Sequence, residues 1–122
     1  FTLTARAENH LRGNPDLDDT TARLQAFERA GADVLYAPAL LSAEEIKTVC
    51  DAVSKPVNVL AFARLGLTLG EIAEAGAQRV SVGSGLTWAA TDAAIEAAER
   101  VIDSGDFSGM ATPGRVREWL GA

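Results

Sequence analysis

The sequence predicts an α/β chain of four consecutive strand–helix units, which is half of a (βα)8, or TIM, barrel, closed by a short terminal helix. Three observations predict it. Short β-prone runs alternate with longer helical patterns four times, at about 30 residues per unit, the size of a βα repeat. Each run is bounded by Gly, Pro or a helix-capping residue. Polar side chains recur on alternate strand positions, which an open sheet sheathed by helices on both faces disfavours and a barrel can direct inward near its active rim.

The first strand runs from Phe1 to Arg6, with Phe1, Leu3 and Ala5 on one face and Thr2, Thr4 and Arg6 on the other. Asp16 or Asp18 caps the helix that starts near Leu17, and its apolar stripe of Leu17, Leu24, Phe27 and Ala30 stops at Gly31. Ala32 to Ala37 forms the second strand. Ser42 and Glu45 have the spacing of a capping box, in which side chains and backbone N–H groups satisfy one another at a helix start, so a second helix opens at Ala43. Pro56 opens the third strand, Val57 to Ala61, where a missing N–H costs least. Here Val57, Val59 and Ala61 oppose Asn58 and Leu60. Thr68 and Glu71 repeat the box ahead of a third helix that Gly76 ends. In the fourth strand, Arg79 to Gly83, Val80 and Val82 oppose Arg79, Ser81 and Gly83. An Ala-rich helix follows, from Thr87 to Ile102.

Composition shifts at Ser104-Gly105-Asp106, so residues 1–104 make the half barrel and residues 105–122 a tail. Turn-forming residues continue to Pro113, after which Val116, Trp119 and Leu120 mark a short amphipathic helix expected to dock on another surface. Four strands alone would leave two unpaired edges and a bare interior face. The chain does not open with Met, and Phe1 already belongs to a strand-like run. It therefore reads as a piece of a longer chain, completed by a missing N-terminal half or by a second copy in a homo-oligomer.

With 11 basic and 17 acidic residues the net charge is −6, which provides no field to attract nucleic acid or an anionic membrane surface. No apolar run is long enough to cross a bilayer. Cys50 is the only cysteine, so neither an intrachain disulfide nor a cysteine metal cage can form, and a cytoplasmic setting is the expectation.

Arg6 ends the first strand, on the rim where barrel enzymes gather their catalytic groups, and its guanidinium suits a bidentate grip on a carboxylate. The bland alternative is an ion pair with Glu8, which could equally orient Arg6, hold a metal-bound water or face solvent. Asn58 interrupts a valine-rich strand and needs partners, either structural or on a ligand, because an unpaired buried amide is costly. Ser81 and Thr4 read as residues that shape the interior by packing and hydrogen bonding. Val82-Gly83-Ser84-Gly85 precedes the fourth helix, where backbone N–H groups could cradle an anion or the glycines could merely allow a turn. His10 has no second histidine or nucleophile at a recognisable spacing and is expected to be solvated or capping. Asp16, Asp18 and Asp19 lack the glycine and distal Glu of a calcium loop and read as helix-capping residues. Trp88 and Trp119 read as packing or interface anchors, and Cys50 as an apolar filler.

Leu3-Thr4-Ala5-Arg6-Ala7-Glu8-Asn9, Ala30-Gly31-Ala32-Asp33-Val34-Leu35-Tyr36-Ala37-Pro38, Lys55-Pro56-Val57-Asn58-Val59-Leu60-Ala61 and Arg79-Val80-Ser81-Val82-Gly83, in that order, resemble the C-terminal half of the isocitrate lyase and phosphoenolpyruvate mutase family. The resemblance covers nearly the whole chain. It implies a (βα)8 barrel and a magnesium-assisted lyase or phosphonomutase acting on C–C or P–C bonds of small 2-oxo or 2-hydroxy carboxylic acids. By that resemblance Arg6 matches the family's rim arginine, which neutralises a substrate carboxylate and a developing enolate oxygen, and Glu8 the acidic position after it. Asn58, Ser81 and Gly83, from the reading of the strands themselves, are the further candidate substrate contacts. The family's magnesium-binding carboxylates and its mobile lid with a catalytic cysteine belong to the N-terminal half, so no metal ligand is expected here and Cys50 is not that cysteine. Pro38 stands at a strand end where characterised lyases often have Glu, and Asn58 lies two residues before the Asn of some of them.

The leading expectation is a partial chain of such a lyase or mutase, catalytically incomplete alone. The alternatives are a noncatalytic half-barrel assembly module and a phosphate-binding biosynthetic barrel.

Overall fold

A computed structural model of the chain describes residues 1–112 and 114–121. Its backbone forms two compact units, Phe1–Gly83 and Ser84–Ala122. The first contains β1 (Thr4–Arg6), α1 (Leu17–Arg29), β2 (Val34–Tyr36), α2 (Ala43–Asp51), β3 (Val57–Leu60), α3 (Leu69–Glu74) and β4 (Arg79–Ser81), and the second contains α4 (Gly85–Ser104) and α5 (Gly114–Leu120). The four strands are parallel in the order β1-β2-β3-β4, without the reversal of strand order that marks a doubly wound open sheet. Sequential winding of this kind is that of a (βα)8 barrel wall.

Register and burial separate the two faces of the sheet. Ala5 pairs with Leu35, Leu35 with Val57, and Val59 with Val80, so these residues share one face. Leu24 of α1, Ile46 and Val49 of α2, and Ile72 of α3 bury against that face in a single core cluster with Leu35, Val57 and Val59. Burial of each such side chain stabilises the fold by roughly 1.5 to 3 kcal/mol before entropy is counted. The other face carries Thr4, Arg6, Tyr36, Asn58, Arg79 and Ser81. Helices α1 to α3 all pack on the apolar side, which is the arrangement the strand parity predicts for a barrel.

The paired strands are shorter than the runs expected from sequence. Phe1 to Leu3 is outside β1, although the Leu3 carbonyl still accepts from the N–H groups of Asp33 and Val34 at 3.0 and 3.1 Å. β4 stops at Ser81 rather than Gly83. Both are edge strands of this sheet, with a neighbour on one side only. The fourth helix begins at Gly85, two residues before Thr87, and continues to Ser104.

Local capping explains the helix starts. Asp16, not Asp18, caps α1 by accepting from the Asp19 N–H at 3.0 Å. Thr68 and Glu71 form the full capping box of α3, with the Thr68 N–H donating to the Glu71 carboxylate at 2.7 Å. The Ser42 box is completed differently. Its hydroxyl accepts from the Glu45 N–H at 3.1 Å, but the Glu45 carboxylate takes the Leu41 N–H at 2.6 Å, one residue further back. Gly76 follows α3 with φ +102°, and a Cβ there would lie 3.0 Å from the Cβ of Cys50. A glycine is required by both the dihedral and this close approach to α2.

In the second unit, Gly105 ends α4 with φ +69° and donates its N–H to the Val101 carbonyl at 2.9 Å. The chain then returns along α4, bringing Gly109 against Ala97 and Arg100. A small-residue cavity of about 390 Å³ lies there, lined by Ala90, Ala94, Ala97 and Met110 among others. Val116, Trp119 and Leu120 of α5 are exposed, as is Trp88 of α4. Pro113, placed by the sequence reading just before the terminal helix, lies outside the described residues. Among the described residues no helix is long and apolar enough to cross a membrane.

Candidate active site

One lateral row crosses the polar face of the first unit. Arg6 pairs with Tyr36, Tyr36 with Asn58, and Asn58 with Arg79, so all four strands contribute one side chain to the same face at the same level. Arg6 and Tyr36 are the last residues of their strands, whereas β3 and β4 run on to Leu60 and Ser81 in the next row.

Arg6 is held from two directions. Its Nη2 lies 2.7 Å from the Glu8 Oε1, and its Cζ stands 4.8 Å from the centre of the Tyr36 ring. The Arg6 and Glu8 side chains are 50% and 39% exposed, so water screens the ion pair, which is worth about 1 kcal/mol or less. Stacking on the buried Tyr36 adds a similar amount. The effect is orientation more than stability: the guanidinium is steadied while its other N–H donors have no acceptor among the described residues.

Asn58 is 0% exposed, and both ends of its amide are used. The Oδ1 accepts from Arg79 Nη1 at 2.9 Å, and the Nδ2 donates to Ser81 Oγ at 3.0 Å. Arg79 and Ser81 are two positions apart on β4 and therefore face the same side, with the Asn58 amide bridging them across the strand gap. This satisfies the demand for partners that a polar residue in a valine-rich strand creates.

The structure thus joins Arg6 with Glu8 and Asn58 with Ser81, and sets Arg6, Asn58 and Ser81 on one face. Gly83 stands apart from these contacts. It lies two residues past the end of β4 with φ +52°, and a Cβ there would approach Leu60 Cδ1 to 3.4 Å. Thr4 is half-buried on the same face as Arg6.

Arg79 and Tyr36 are the site neighbours that sequence reasoning did not single out. Arg79 shares the strand parity of Ser81, which was the available signal. Tyr36 shares a row with Arg6 only through the register of β1 on β2.

Behind the rim, the loop after β1 is tied to α1 by a knot that the sequence reading did not anticipate. The buried Asn9 donates its Nδ2 to Thr20 Oγ1 at 2.6 Å, and Thr20 in turn donates to the Asp16 carbonyl at 2.7 Å. His10 is half-buried rather than solvated, with its Nε2 enclosed and without a hydrogen-bond partner among the described residues. Asp16 and Asp19 serve the start of α1, Asp16 as the cap and Asp19 in an ion pair with Arg23 at 2.8 Å. Among the described residues no group of three or more His, Cys, Asp or Glu converges as a metal cage.

Cys50 is half-buried on α2, and burial, reinforced by the Asp51 charge and opposed by Lys47, pushes its thiol up to about 11. A thiol so disfavoured as thiolate suits a packing role.

Comparison with known proteins gives these features a context. Residues 1–102 match the phosphoenolpyruvate phosphomutase family. A crystal structure from Burkholderia cenocepacia J2315, of a protein named only by class as a lyase or mutase, superposes with a TM-score of 0.90 at 50% identity, covering 100% of this chain and 46% of that one. A 2-methylisocitrate lyase of Halalkalibacterium halodurans is 37% identical over 82 residues, 65% of this chain and 27% of its own. An uncharacterized protein of Mycobacterium tuberculosis is 33% identical over 102 residues, 83% of this chain and 39% of its own. The chain spans less than half the length of each of these relatives. The family match runs through all four strands and most of α4: the chain belongs to the phosphoenolpyruvate phosphomutase family.

Proposed function

We propose that this chain supplies one wall of the active site of a magnesium-dependent lyase or mutase that breaks or rearranges a C–C or P–C bond in a small 2-oxo or 2-hydroxy carboxylic acid. The observation that carries the reading is Arg6 itself. It ends β1 on the polar face of the sheet, braced by Glu8 at 2.7 Å and by the Tyr36 ring at 4.8 Å, with N–H donors to spare. Cleavage of a bond next to a carbonyl sends its electron pair toward the carbonyl oxygen. A fixed guanidinium near that oxygen, or clamping the neighbouring carboxylate, stabilises the charge as it develops and needs no reorganisation at the moment of reaction.

Asn58 and Ser81 line the same wall in this reading, and Gly83 closes it beyond β4. The described residues do not form a magnesium cage, so the reading assigns the metal's ligands to other parts of the full protein. Two unpaired sheet edges, at β1 and β4, ask for the remaining strands, from the rest of the polypeptide or from a second copy.

The test is turnover by the full-length protein with magnesium, screened on 2-methylisocitrate and phosphoenolpyruvate as representatives of the two bond types. Arg6→Ala is expected to lower kcat/KM by about 100- to 1000-fold with an unchanged thermal melt, and Arg6→Lys to recover part of the loss. Turnover unaffected by Arg6→Ala removes Arg6 from the mechanism and overturns the reading.

A further inference from the structure

We infer that Asn9 is a positioning residue: by tying the loop after β1 to α1 it fixes the Glu8 carboxylate against Arg6, and so sets the direction of the guanidinium. The inference rests on the reading of Arg6 as the group that stabilises developing charge.

The Asn9 amide is buried and has one workable orientation. Its Nδ2 faces three oxygens, Thr20 Oγ1 at 2.6 Å and the carbonyls of Asn14 and Asp16 at 3.2 Å each. Thr20 spends its own hydrogen on the Asp16 carbonyl at 2.7 Å, so all three oxygens are acceptors and only the nitrogen end of the amide fits among them. The Asn9 Oδ1 is then enclosed without a partner among the described residues. An unpaired buried acceptor costs stability, so the side chain is better explained by what it holds in place than by net stabilisation.

What it holds in place is not α1. That helix has its own cap, the Asp16 carboxylate on the Asp19 N–H at 3.0 Å, and a backbone bond from the Thr20 N–H to the Asp16 carbonyl at 3.0 Å. The bonds of Asn9 fix the loop instead, and the residue before it is Glu8. The backbone around Glu8 is pinned three times: Ala7 donates its N–H to the Tyr36 carbonyl at 2.8 Å, Arg12 donates to the Glu8 carbonyl at 3.1 Å, and Asn14 donates to the Asn9 carbonyl at 2.9 Å.

Strength decides which contact orders which. Arg6 and Glu8 meet at 2.7 Å, but both side chains are exposed, and a water-screened ion pair is too weak to order a loop by itself. The buried amide is shielded from water, where hydrogen bonds are electrostatically stronger. Order therefore runs from Asn9 and Thr20 to Glu8, and from Glu8 to Arg6.

The experiment is a double-mutant cycle in the full-length protein with magnesium, read as turnover of 2-methylisocitrate or phosphoenolpyruvate. Asn9→Ala, and Thr20→Val, which removes the hydroxyl at nearly constant volume, are each expected to lower kcat/KM by about 10-fold, and Thr20→Ser to stay within about 2-fold of the parent. Added to Glu8→Ala, the same Asn9→Ala change is expected to cost less than about 2-fold, because the carboxylate that Asn9 positions is already gone. A merely structural role would multiply the losses, so equal factors in the two backgrounds overturn the inference, as does parental activity in both Asn9→Ala and Thr20→Val. If Asn9→Ala loses its cooperative melt, Thr20→Val runs the same cycle; loss of the melt in both assigns these bonds to the fold and overturns the inference. Activity unchanged by Glu8→Ala also overturns it, and in that outcome the Arg6 reading survives if Arg6→Ala still lowers turnover. Turnover unaffected by Arg6→Ala, or absent on both acids, overturns both.

Discussion

The Oδ1 of Asn58 accepts from the Nη1 of Arg79 at 2.9 Å, so the buried amide on β3 and the cation on β4 behave as one unit. Removing the amide strands the Ser81 hydroxyl, frees the guanidinium and leaves a cavity where a fully buried side chain stood. Asn58→Ala is therefore expected to destabilise the protein by about 1 to 3 kcal/mol. Urea denaturation checks it, with the midpoint falling at constant slope. A midpoint within error of the parent would mean that the hydrogen bonds contribute nothing net.

Two glycines with nearly equal backbone angles separate dihedral strain from crowding. Gly31 has φ +99° and open space around its missing side chain, whereas Gly76 has φ +102° and Cys50 at 3.0 Å. Gly31→Ala is expected to cost about 1 to 2 kcal/mol from the dihedral alone. Gly76→Ala is expected to cost that plus about 1 to 3 kcal/mol for forcing α2 and α3 apart. Equal losses in thermal or chemical melts would refute the packing contribution.

The capping box of α3 gives a pH dependence. Hydrogen bonds from the Thr68 backbone and then its hydroxyl hold the Glu71 carboxyl below its ordinary value of 4.5. A group depressed in the folded state adds stability above its unfolded pKa and loses that contribution as pH falls through the folded value. The stability gap between the parent and Glu71→Ala should thus be open at pH 7 and narrow below about pH 4.5. A gap independent of pH from 7 to 3 would show that the ionised carboxylate is not what the cap uses.

Cys50 should be chemically quiet. Burial, aided by Asp51, raises its thiol from 9.0 to about 11, two units that cut the thiolate fraction near neutral pH by roughly 100-fold. Iodoacetamide should label the native protein far more slowly than a free thiol at pH 8, and labelling should accelerate sharply in denaturing urea. Equal native and denatured rates would contradict the burial of this side chain.

Much of the architecture is written in short-range pattern. The alternation of βα units, the opposition of Val57 and Val59 to Asn58, and the Thr68–Glu71 box depend on spacings of two or three residues, and the structure reproduces each. The motifs around Arg6, Asn58 and Arg79 carry the family resemblance, which the match over residues 1–102 bears out. Strand ends were less legible, because the apolar character of Phe1 and Val82 continues past the last paired residue of an edge strand, and pairing depends on a neighbour. The Ser42 box went half astray for a related reason: the Glu45 carboxylate found the Leu41 amide, an acceptor–donor match set by how the incoming chain approaches the helix.

By itself, the sequence determined which residues face the helices and which face the other way, because side-chain direction alternates along every strand whatever lies beside it. Only the tertiary structure decided that Arg6 lies over Tyr36 and that Asn58 grips Arg79 and Ser81. Those contacts join residues about 20 to 30 positions apart through strand register, and register is set by how four strands and three helices pack together, a quantity that no local spacing encodes.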